Sequence, residues 1–297
     1  MSKPQIALGT AQFGLNYGIT NSQGKVSREE VRSLLELAQE AKIPFLDTAQ
    51  AYGNAEEVLG KTLLQPTRFR IISKLPAQRD GNFDAIREQH WQQGLETSLD
   101  KLQIPCLDAL LLHSARDLVR TDGQRLLDWL IKVQAQGLIQ RFGVSIYQQE
   151  ELDALPLDQL QLVQLPCSLY DQRLIEDGTA ASLQQRGIAV HGRSLYLQGL
   201  LVTPTAQWPE GMSTAFRQHH QNLEALAKEK QCSLVELALG WVRTQICLEA
   251  AVIGVTRPSE LQALIQAWDG PQQWKPNEAS QWSWKETGEL DPRQWKP

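Results

Sequence analysis

The sequence has few cysteines, no surplus of positive charge and no long apolar run. Its four cysteines include no Cys-X-X-Cys pair, which argues against a disulfide framework, a thiolate metal site or a redox dithiol. The net charge is −5, from 29 basic and 34 acidic residues, so we expect no nucleic-acid partner. No stretch approaches the roughly 18 consecutive apolar residues of a membrane span, and the first ten residues lack the apolar core of a signal peptide. These absences predict a cytoplasmic protein without a membrane partner.

The usual nucleotide-binding signatures and domain linkers are also missing. The turn after the first apolar run reads GTAQFGLNYG, which does not contain GxGxxG, and no P-loop is present. No Pro/Gly/Ser-rich linker divides the chain. We therefore expect a single domain over residues 1–297. It ends in a tail of about residues 270–297 that carries four of the nine tryptophans, and we expect this tail to run extended over the body.

Eight short apolar runs alternate with segments of helical period. Continuous apolar character, rather than strict alternation, is typical of strands that are covered on both faces, as in a parallel sheet. The predicted strands cover residues 5–10, 43–48, 69–74, 107–113, 139–145, 161–166, 187–194 and 249–254.

The segments between these strands have helical periodicity. Capping boxes at Ser27/Glu30 and Ser233/Glu236 and a proline at Pro258 mark the starts of three helices. Weaker helical patterns cover residues 84–103, 122–136 and 171–186. Eight strand–helix units predict the α/β class and a (β/α)8 TIM barrel, and an open doubly wound sheet is the alternative.

Polar residues close most of the predicted strands, and this end of a TIM barrel is where its chemistry gathers. Asp47, Lys74 and His113 lie at the ends of the second, third and fourth strands, and Tyr52 comes five residues after Asp47. Taken singly, these residues fit a helix cap, a solvated strand end, a core histidine and a packing tyrosine. Their occurrence together at neighbouring strand ends indicates a reaction centre. The later strands end with Ser145, Gln164, Arg193 and Ser194.

This set of side chains can reduce a carbonyl group. A phenol with a pKa near ~10 is a poor proton donor at neutral pH, and a nearby lysine ammonium lowers that pKa. A carboxylate paired with the lysine would fix its position. The tyrosine then protonates the carbonyl oxygen as hydride reaches the carbon, while a histidine hydrogen-bonds the same oxygen. This chemistry needs a nicotinamide cofactor and no metal.

The order of these motifs resembles the aldo-keto reductase family almost from end to end. The similar segments are LGTAQFG, DTAQAYG, IISK, LLLHS, GVS, VQLP, RSLYLQGLL, VIGVTRPSEL and DPRQW. The resemblance implies a (β/α)8 barrel that reduces aldehydes or ketones with NADP(H), or with NAD(H), bound across its mouth. It also implies that Tyr52 is the general acid, that Asp47 and Lys74 tune it, and that His113 orients the carbonyl.

The resemblance further assigns residues to the cofactor. Ser145 and Gln164 would hold the nicotinamide carboxamide, and Thr10 the nicotinamide or its ribose. The segments after the last two strands would line the pyrophosphate and the adenosine phosphate, with Arg257 contacting the 2′-phosphate. The residues concerned are Ser194, Leu195, Gln198, Ile253, Gly254, Val255, Thr256 and Arg257.

The sequence departs from the common family pattern at three places. Ile146 stands where many members have an asparagine that contacts the carboxamide, and Arg193 stands where many have an aromatic ring stacked on the nicotinamide. Gly254 and Glu260 stand where a Lys and an Arg commonly grip the 2′-phosphate. These departures bear on the preference for NADPH over NADH.

Two other functions remain as alternatives. An aldolase would use Lys74 as a Schiff-base nucleophile, which requires a neutral lysine, whereas Asp47 would hold it charged. A binding subunit would sense the redox state of the nicotinamide for a partner and turn over little substrate. The expected partner is a small carbonyl compound, and the sequence carries no pattern that predicts an oligomeric state.

Overall fold

The computed structural model describes residues 3–21, 23–78 and 80–295. Eight parallel strands close into a barrel in chain order, because β1 pairs with β8 as well as with β2. The closed ring confirms the predicted TIM barrel and excludes the open sheet. The strands are β1 Gln5–Gly9, β2 Phe45–Asp47, β3 Arg70–Leu75, β4 Leu107–Leu112, β5 Ile139–Ser145, β6 Leu162–Pro166, β7 Ala189–Arg193 and β8 Ala250–Gly254.

Helices follow the strands and pack around the barrel. The predicted capping boxes are present at Ser27/Glu30 and Ser233/Glu236, and Pro258 opens its helix as expected. The α-helices of the described residues are α1 Ala11–Gly14, α2 Arg28–Glu40, α3 Ala55–Thr62, α4 Ala85–Leu102, α5 Gly123–Ala135, α6 Arg173–Glu176, α7 Thr179–Gln185, α8 Thr214–Glu229, α9 Leu234–Val242, α10 Pro258–Asp269 and α11 Thr287–Leu290.

The helix predicted over 171–186 was wrong as a single element. It is divided into α6 and α7 at Gly178, whose φ of +83° lies in the left-handed region that a continuous helix cannot contain. The helices α1, α3, α8 and α11 were not predicted. Of these, α8 begins after Ser213, whose side chain accepts a hydrogen bond from the backbone N–H of Phe216.

Charged residues fill the barrel at the end where the strands begin. Asp108 pairs with Arg70 at 2.8 Å and with Arg141 at 2.6 Å. Glu249 pairs with Arg141 at 3.0 Å and accepts a hydrogen bond at 2.8 Å from His191, which is fully buried. This barrel-bottom network closes one end of the barrel, so the opposite end is left for a ligand.

The tryptophan-rich tail packs against the barrel and its helices. The indole N–H of Trp274 donates to the Leu237 carbonyl at 2.8 Å, and the backbone N–H of Trp284 donates to the Tyr170 carbonyl at 2.8 Å. The tail contains α11 and the short 3-10 helices Glu278–Trp282 and Pro292–Gln294, so it is not extended throughout as expected. Residues 296 and 297 of the predicted tail lie outside the described residues.

Candidate active site

A cleft of about 680 Å³ opens at the end of the barrel where the strands finish. Three of the four predicted catalytic residues line it: Asp47, Tyr52 and His113. The fourth, Lys74, is buried beneath them with 1% of its surface exposed. Every residue predicted to contact the cofactor also lines this cleft: Thr10, Asp47, Ser145, Gln164, Arg193, Ser194, Leu195, Gln198, Ile253, Gly254, Val255, Thr256 and Arg257.

A buried ion pair forms the floor of the cleft. The Lys74 Nζ lies 2.5 Å from Asp47 Oδ1 and donates a second hydrogen bond to the Thr48 carbonyl at 2.9 Å. Burial lowers the pKa of Lys74, and the charge and hydrogen bond of Asp47 oppose this shift. The two side chains together carry no net charge, whichever of them holds the proton.

Gln164 holds the other oxygen of the same carboxylate. Its Nε2 donates to Asp47 Oδ2 at 2.7 Å, so its amide oxygen is the group left to meet a cofactor amide. Ser145 lies beside it, since these two residues are partners in the β5–β6 register. The two residues predicted to hold the cofactor carboxamide are therefore adjacent, although the NH2 group of Gln164 already binds Asp47.

Tyr52 and His113 face each other above this pair. Their ring centroids are 5.9 Å apart, and the Lys74 Nζ lies 5.2 Å from the centroid of the Tyr52 ring. Burial raises the pKa of Tyr52, and the Asp47 charge raises it further. Burial and the Lys74 charge lower the pKa of His113 to about 4, so its ring is neutral at pH 7 and has one N–H to donate.

The direction of the Tyr52 shift differs from the sequence-based expectation. We expected Lys74 to lower the pKa of Tyr52, but the net shift is upward because burial dominates and the Asp47 charge adds to it. The cation that does lower the pKa of Tyr52 is Arg193. Its charge acts over a distance because it is not cancelled by a carboxylate.

Arg193 is fixed by three hydrogen bonds and by an aromatic ring. Its Nε donates to Ser145 Oγ at 3.3 Å, its Nη1 to Ser194 Oγ at 3.2 Å and its Nη2 to the Ile146 carbonyl at 2.9 Å. Its Cζ lies 4.0 Å from the centroid of the Tyr147 ring. The Arg293 Cζ from the tail lies 3.3 Å from the same centroid. Neither Tyr147 nor Arg293 was predicted from the sequence.

Two loops meet over the cleft. The Thr20 hydroxyl, in the loop after β1, donates to the Gln198 carbonyl at 3.3 Å in the loop after β7. Ser194 and Gln198 have φ values of 60° and 55°, and Gly199 has a φ of +101°. A side chain at Gly199 would collide with Thr20 Oγ1, since an added Cβ would lie 1.9 Å from it. The loops can approach this closely only because this residue is a glycine.

The far end of the cleft mixes a cation, an anion and apolar groups. The Glu260 carboxylate accepts hydrogen bonds at 2.7 Å from the backbone N–H of Thr256 and at 3.0 Å from its hydroxyl. The exposed Arg257 precedes α10, and Val235 and Leu264 supply apolar surface. The hydroxyl of Tyr196 is buried and has no hydrogen-bond partner among the described residues. An elongated ligand with polar groups along its length would satisfy this hydroxyl, so the cleft fits a dinucleotide.

Sequence reasoning missed several residues that line the cleft from its surrounding loops. Tyr17 and Thr20 lie after β1, Tyr147 after β5, and Arg293 in the tail. The segment LNYGIT carries no local pattern that distinguishes Tyr17 from a surface tyrosine. These residues reach the cleft through loop positions that only the closed barrel defines.

Among the described residues, no three or more His, Cys, Asp or Glu side chains come together as a metal-ion site. No helix in the described ranges is long and apolar enough to cross a membrane.

Comparison with known proteins defines the family. The profile described as "Aldo/keto reductase family" matches residues 5–281. The chain is 25% identical to the aldo-keto reductase YhdN of Bacillus subtilis, covering 89% of this chain and 85% of the relative. It is 23% identical to the NADH-specific methylglyoxal reductase of Escherichia coli, covering 89% of each chain.

Two further similarities concern a channel subunit and a solved structure. A probable voltage-gated potassium channel subunit beta from Oryza sativa is 22% identical, covering 86% of this chain and 87% of that one. The holo structure of aldo-keto reductase AKR11C1 from Bacillus halodurans superposes with a TM-score of 0.71 at 18% identity, covering 94% of both chains. The chain belongs to the aldo/keto reductase family. It is an oxidoreductase of a family that uses nicotinamide cofactors.

Proposed function

We propose that this protein reduces an aldehyde or ketone to the alcohol with NADPH, and that Tyr52 is its proton donor. One observation carries the proposal. Tyr52 and His113 face the same end of the cleft, directly above a buried Lys74–Asp47 pair that Gln164 holds in place.

Each of these side chains has a distinct task with the carbonyl group. The Tyr52 hydroxyl donates its proton to the carbonyl oxygen, and the neutral His113 donates a hydrogen bond to the same oxygen. The Lys74–Asp47 pair keeps the electrostatic surroundings of the phenol fixed. The Arg193 charge favours loss of the phenol proton, because it stabilises the developing phenolate.

The cleft residues would hold the cofactor along its length. Ser145 and the free oxygen of Gln164 would meet the carboxamide, and the Tyr196 hydroxyl, Ser194 and Gln198 would meet the phosphates. Arg257 would contact the 2′-phosphate. When bound, the cofactor supplies the hydride that reaches the carbonyl carbon.

The cysteines and the tail bear on the compartment and the domain organisation of the protein. We propose that it is a cytoplasmic enzyme, since its four cysteines are free thiols, as is usual in a reducing compartment. We also propose that the tail forms one domain with the barrel, because its backbone and tryptophans hydrogen-bond to α9 and to the segment after β6.

A redox-sensing subunit is the second candidate. It is favoured by the similarity to a protein named as a probable potassium channel subunit beta. Turnover distinguishes the two functions. A subunit of this kind would bind the cofactor but would oxidise it slowly with every aldehyde, ketone and keto-sugar in a screen.

The replacement Tyr52→Phe tests the proton donor. We expect it to lower the rate of reduction by about a hundredfold or more, since general acid catalysis is typically worth that much. Cofactor binding, measured by titration calorimetry, should change little. Tyr17→Phe is the matched control, because it removes a second phenol from the same cleft and should have a much smaller effect. Near-normal turnover by Tyr52→Phe would contradict the assignment.

A further inference from the structure

Arg193 is a cation without an anion. Its guanidinium is half-buried and hydrogen-bonds two serine hydroxyls and one backbone carbonyl, none of which is charged. No Asp or Glu among the described residues forms an ion pair with it. Charged groups withdrawn from water are normally paired. The Arg193 guanidinium can therefore form an ion pair with an anion of a bound ligand.

The charges around Arg193 leave it uncompensated. Lys74 and Asp47 form a pair with no net charge, and the low pKa of His113 keeps its ring neutral at pH 7. The other nearby cation, Arg293, is already paired with Asp291 at 2.7 Å. Among these groups, Arg193 is therefore the charge that no ion pair of the described residues offsets.

The guanidinium of Arg193 has N–H groups that the chain does not use. A guanidinium has five N–H groups, and the three hydrogen bonds within the chain use the one on Nε and one on each Nη. One N–H remains on each of the two terminal nitrogens, so the guanidinium still has two donors for the oxygens of an anion such as a carboxylate. The Tyr147 ring at 4.0 Å fixes the guanidinium plane, so little side-chain entropy is lost when an anion binds.

We propose that the substrate is a carbonyl compound that also carries a carboxylate, and that Arg193 binds this carboxylate. The inference rests on the proposed reductase function and adds the class of substrate to it. Arg193 lines the same cleft as Tyr52 and His113, and its Nε donates to Ser145, the register partner of Gln164. The anion it binds would therefore stand close to the carbonyl being reduced. The rival occupant is the cofactor. Arg193 stands where many family members have an aromatic ring stacked on the nicotinamide, and its partner Ser194 is a predicted pyrophosphate contact.

Acid and ester pairs test the inference on the full chain. The substrates are 4-oxobutanoate, 5-oxopentanoate and 4-formylbenzoate, each compared with its methyl ester, which keeps the aldehyde and removes the charge. We expect kcat/KM to favour at least one acid over its ester by about tenfold or more, as one charge-assisted bidentate contact allows. The difference between each acid and its ester should appear mainly in KM.

Substitution of Arg193 then assigns the preference to a residue. The ratio of acid to ester is compared within each variant, so that any change in cofactor affinity cancels. We expect Arg193→Met to bring the ratio close to one and Arg193→Lys to restore part of it. The control Arg257→Met removes a cation from the other end of the cleft and should leave the ratio as it is in the unmodified protein.

The outcomes separate this inference from the proposed function. If the esters are reduced as well as the acids, the protein is a reductase and the carboxylate inference is wrong. If Arg193→Met weakens cofactor binding in calorimetry and leaves a preference for acids intact, Arg193 serves the cofactor and the inference is again wrong. If the cofactor binds but no aldehyde is reduced, the proposed function itself fails.

Discussion

Lys74 shows how one buried residue can control the chemistry of another. Its replacement by Met leaves Asp47 as a buried carboxylate without its cation, and this charge raises the pKa of Tyr52 further. We expect kcat to fall by about a hundredfold and the alkaline limb of the pH–rate profile to move to higher pH, because the phenol loses its proton later. Steady-state kinetics over a range of alkaline pH measure both effects.

The double variant Lys74→Met/Asp47→Asn is the control for this experiment. It removes both charges and should return the alkaline limb towards its original position without restoring the rate. Removing one partner of a buried pair also destabilises a protein, by roughly 3–5 kcal/mol, so thermal unfolding is measured alongside. A folded Lys74→Met enzyme with an unshifted alkaline limb would show that Lys74 does not influence Tyr52.

The choice of cofactor depends on two residues of opposite charge. Arg257 offers the 2′-phosphate a guanidinium, while Glu260, held against Thr256, places a carboxylate at the same end of the cleft. We expect Arg257→Ala to weaken binding of NADPH about tenfold more than binding of NADH. Glu260→Gln should strengthen NADPH binding and leave NADH nearly unchanged. The measurement is the dissociation constant of each cofactor for each variant. If Arg257→Ala weakens the binding of NADPH and of NADH by the same factor, Arg257 does not contact the 2′-phosphate.

At the scale of elements, the contact between the loops after β1 and β7 should control how long the cofactor stays bound. In Gly199→Ala the new methyl group meets Thr20, so the two loops must separate. We expect the cofactor to dissociate about fivefold faster or more, as measured by stopped-flow fluorescence, since the cost of a steric conflict is commonly 1–3 kcal/mol.

Gly211→Ala is the control for the loop contact. Gly211 has a φ of +98°, close to that of Gly199, but nothing lies within 4 Å of an added Cβ there. Both variants therefore carry similar backbone strain, and only Gly199→Ala disturbs the loop contact. If the two variants release the cofactor at the same rate, strain rather than loop separation explains the effect.

The elements of this protein differ in how well the sequence predicts them. The eight strands were predicted because a strand covered on both faces is a continuous apolar run, as in LDALLL of β4. The break between α6 and α7 was missed because glycine is tolerated inside many helices, and the left-handed conformation of Gly178 is set by its surroundings. Strand ends such as Asp47 and His113 were placed correctly because the barrel fixes where a strand ends. Tyr147 and Arg293 were missed because their meeting requires the tail to fold back over the barrel.

At the scale of the whole molecule, the barrel-bottom network ties stability to pH. Burial alone would raise the pKa of Glu249, but its hydrogen bond to His191 and the charges of His191 and Arg141 lower it to about 2. Because the folded pKa lies below the unfolded one, the stabilisation is complete above about pH 5 and is lost as the pH falls towards 2. It amounts to at most about 3 kcal/mol at neutral pH.

The substitution Glu249→Gln measures this contribution. We expect it to lower the thermal unfolding temperature at neutral pH, and the difference from the unmodified protein should shrink as the solution is acidified. Glu57→Gln is the control, since the pKa of this exposed carboxylate is also lowered by a lysine, Lys61, but outside the barrel. Its effect should be small at every pH. A Glu249→Gln deficit that persists unchanged in acid would show that packing, not ionisation, is responsible.

The pairing of β1 with β8 also has a consequence for how the protein is made. The first strand leaves the ribosome early, but its register partners, Ala250 to Gly254, are among the later residues to be synthesised. Until they emerge, one side of β1 has no neighbour, and an unpaired strand edge is a template for pairing with other chains. The interval between the synthesis of these two strands is therefore the period in which the nascent chain is most exposed to aggregation.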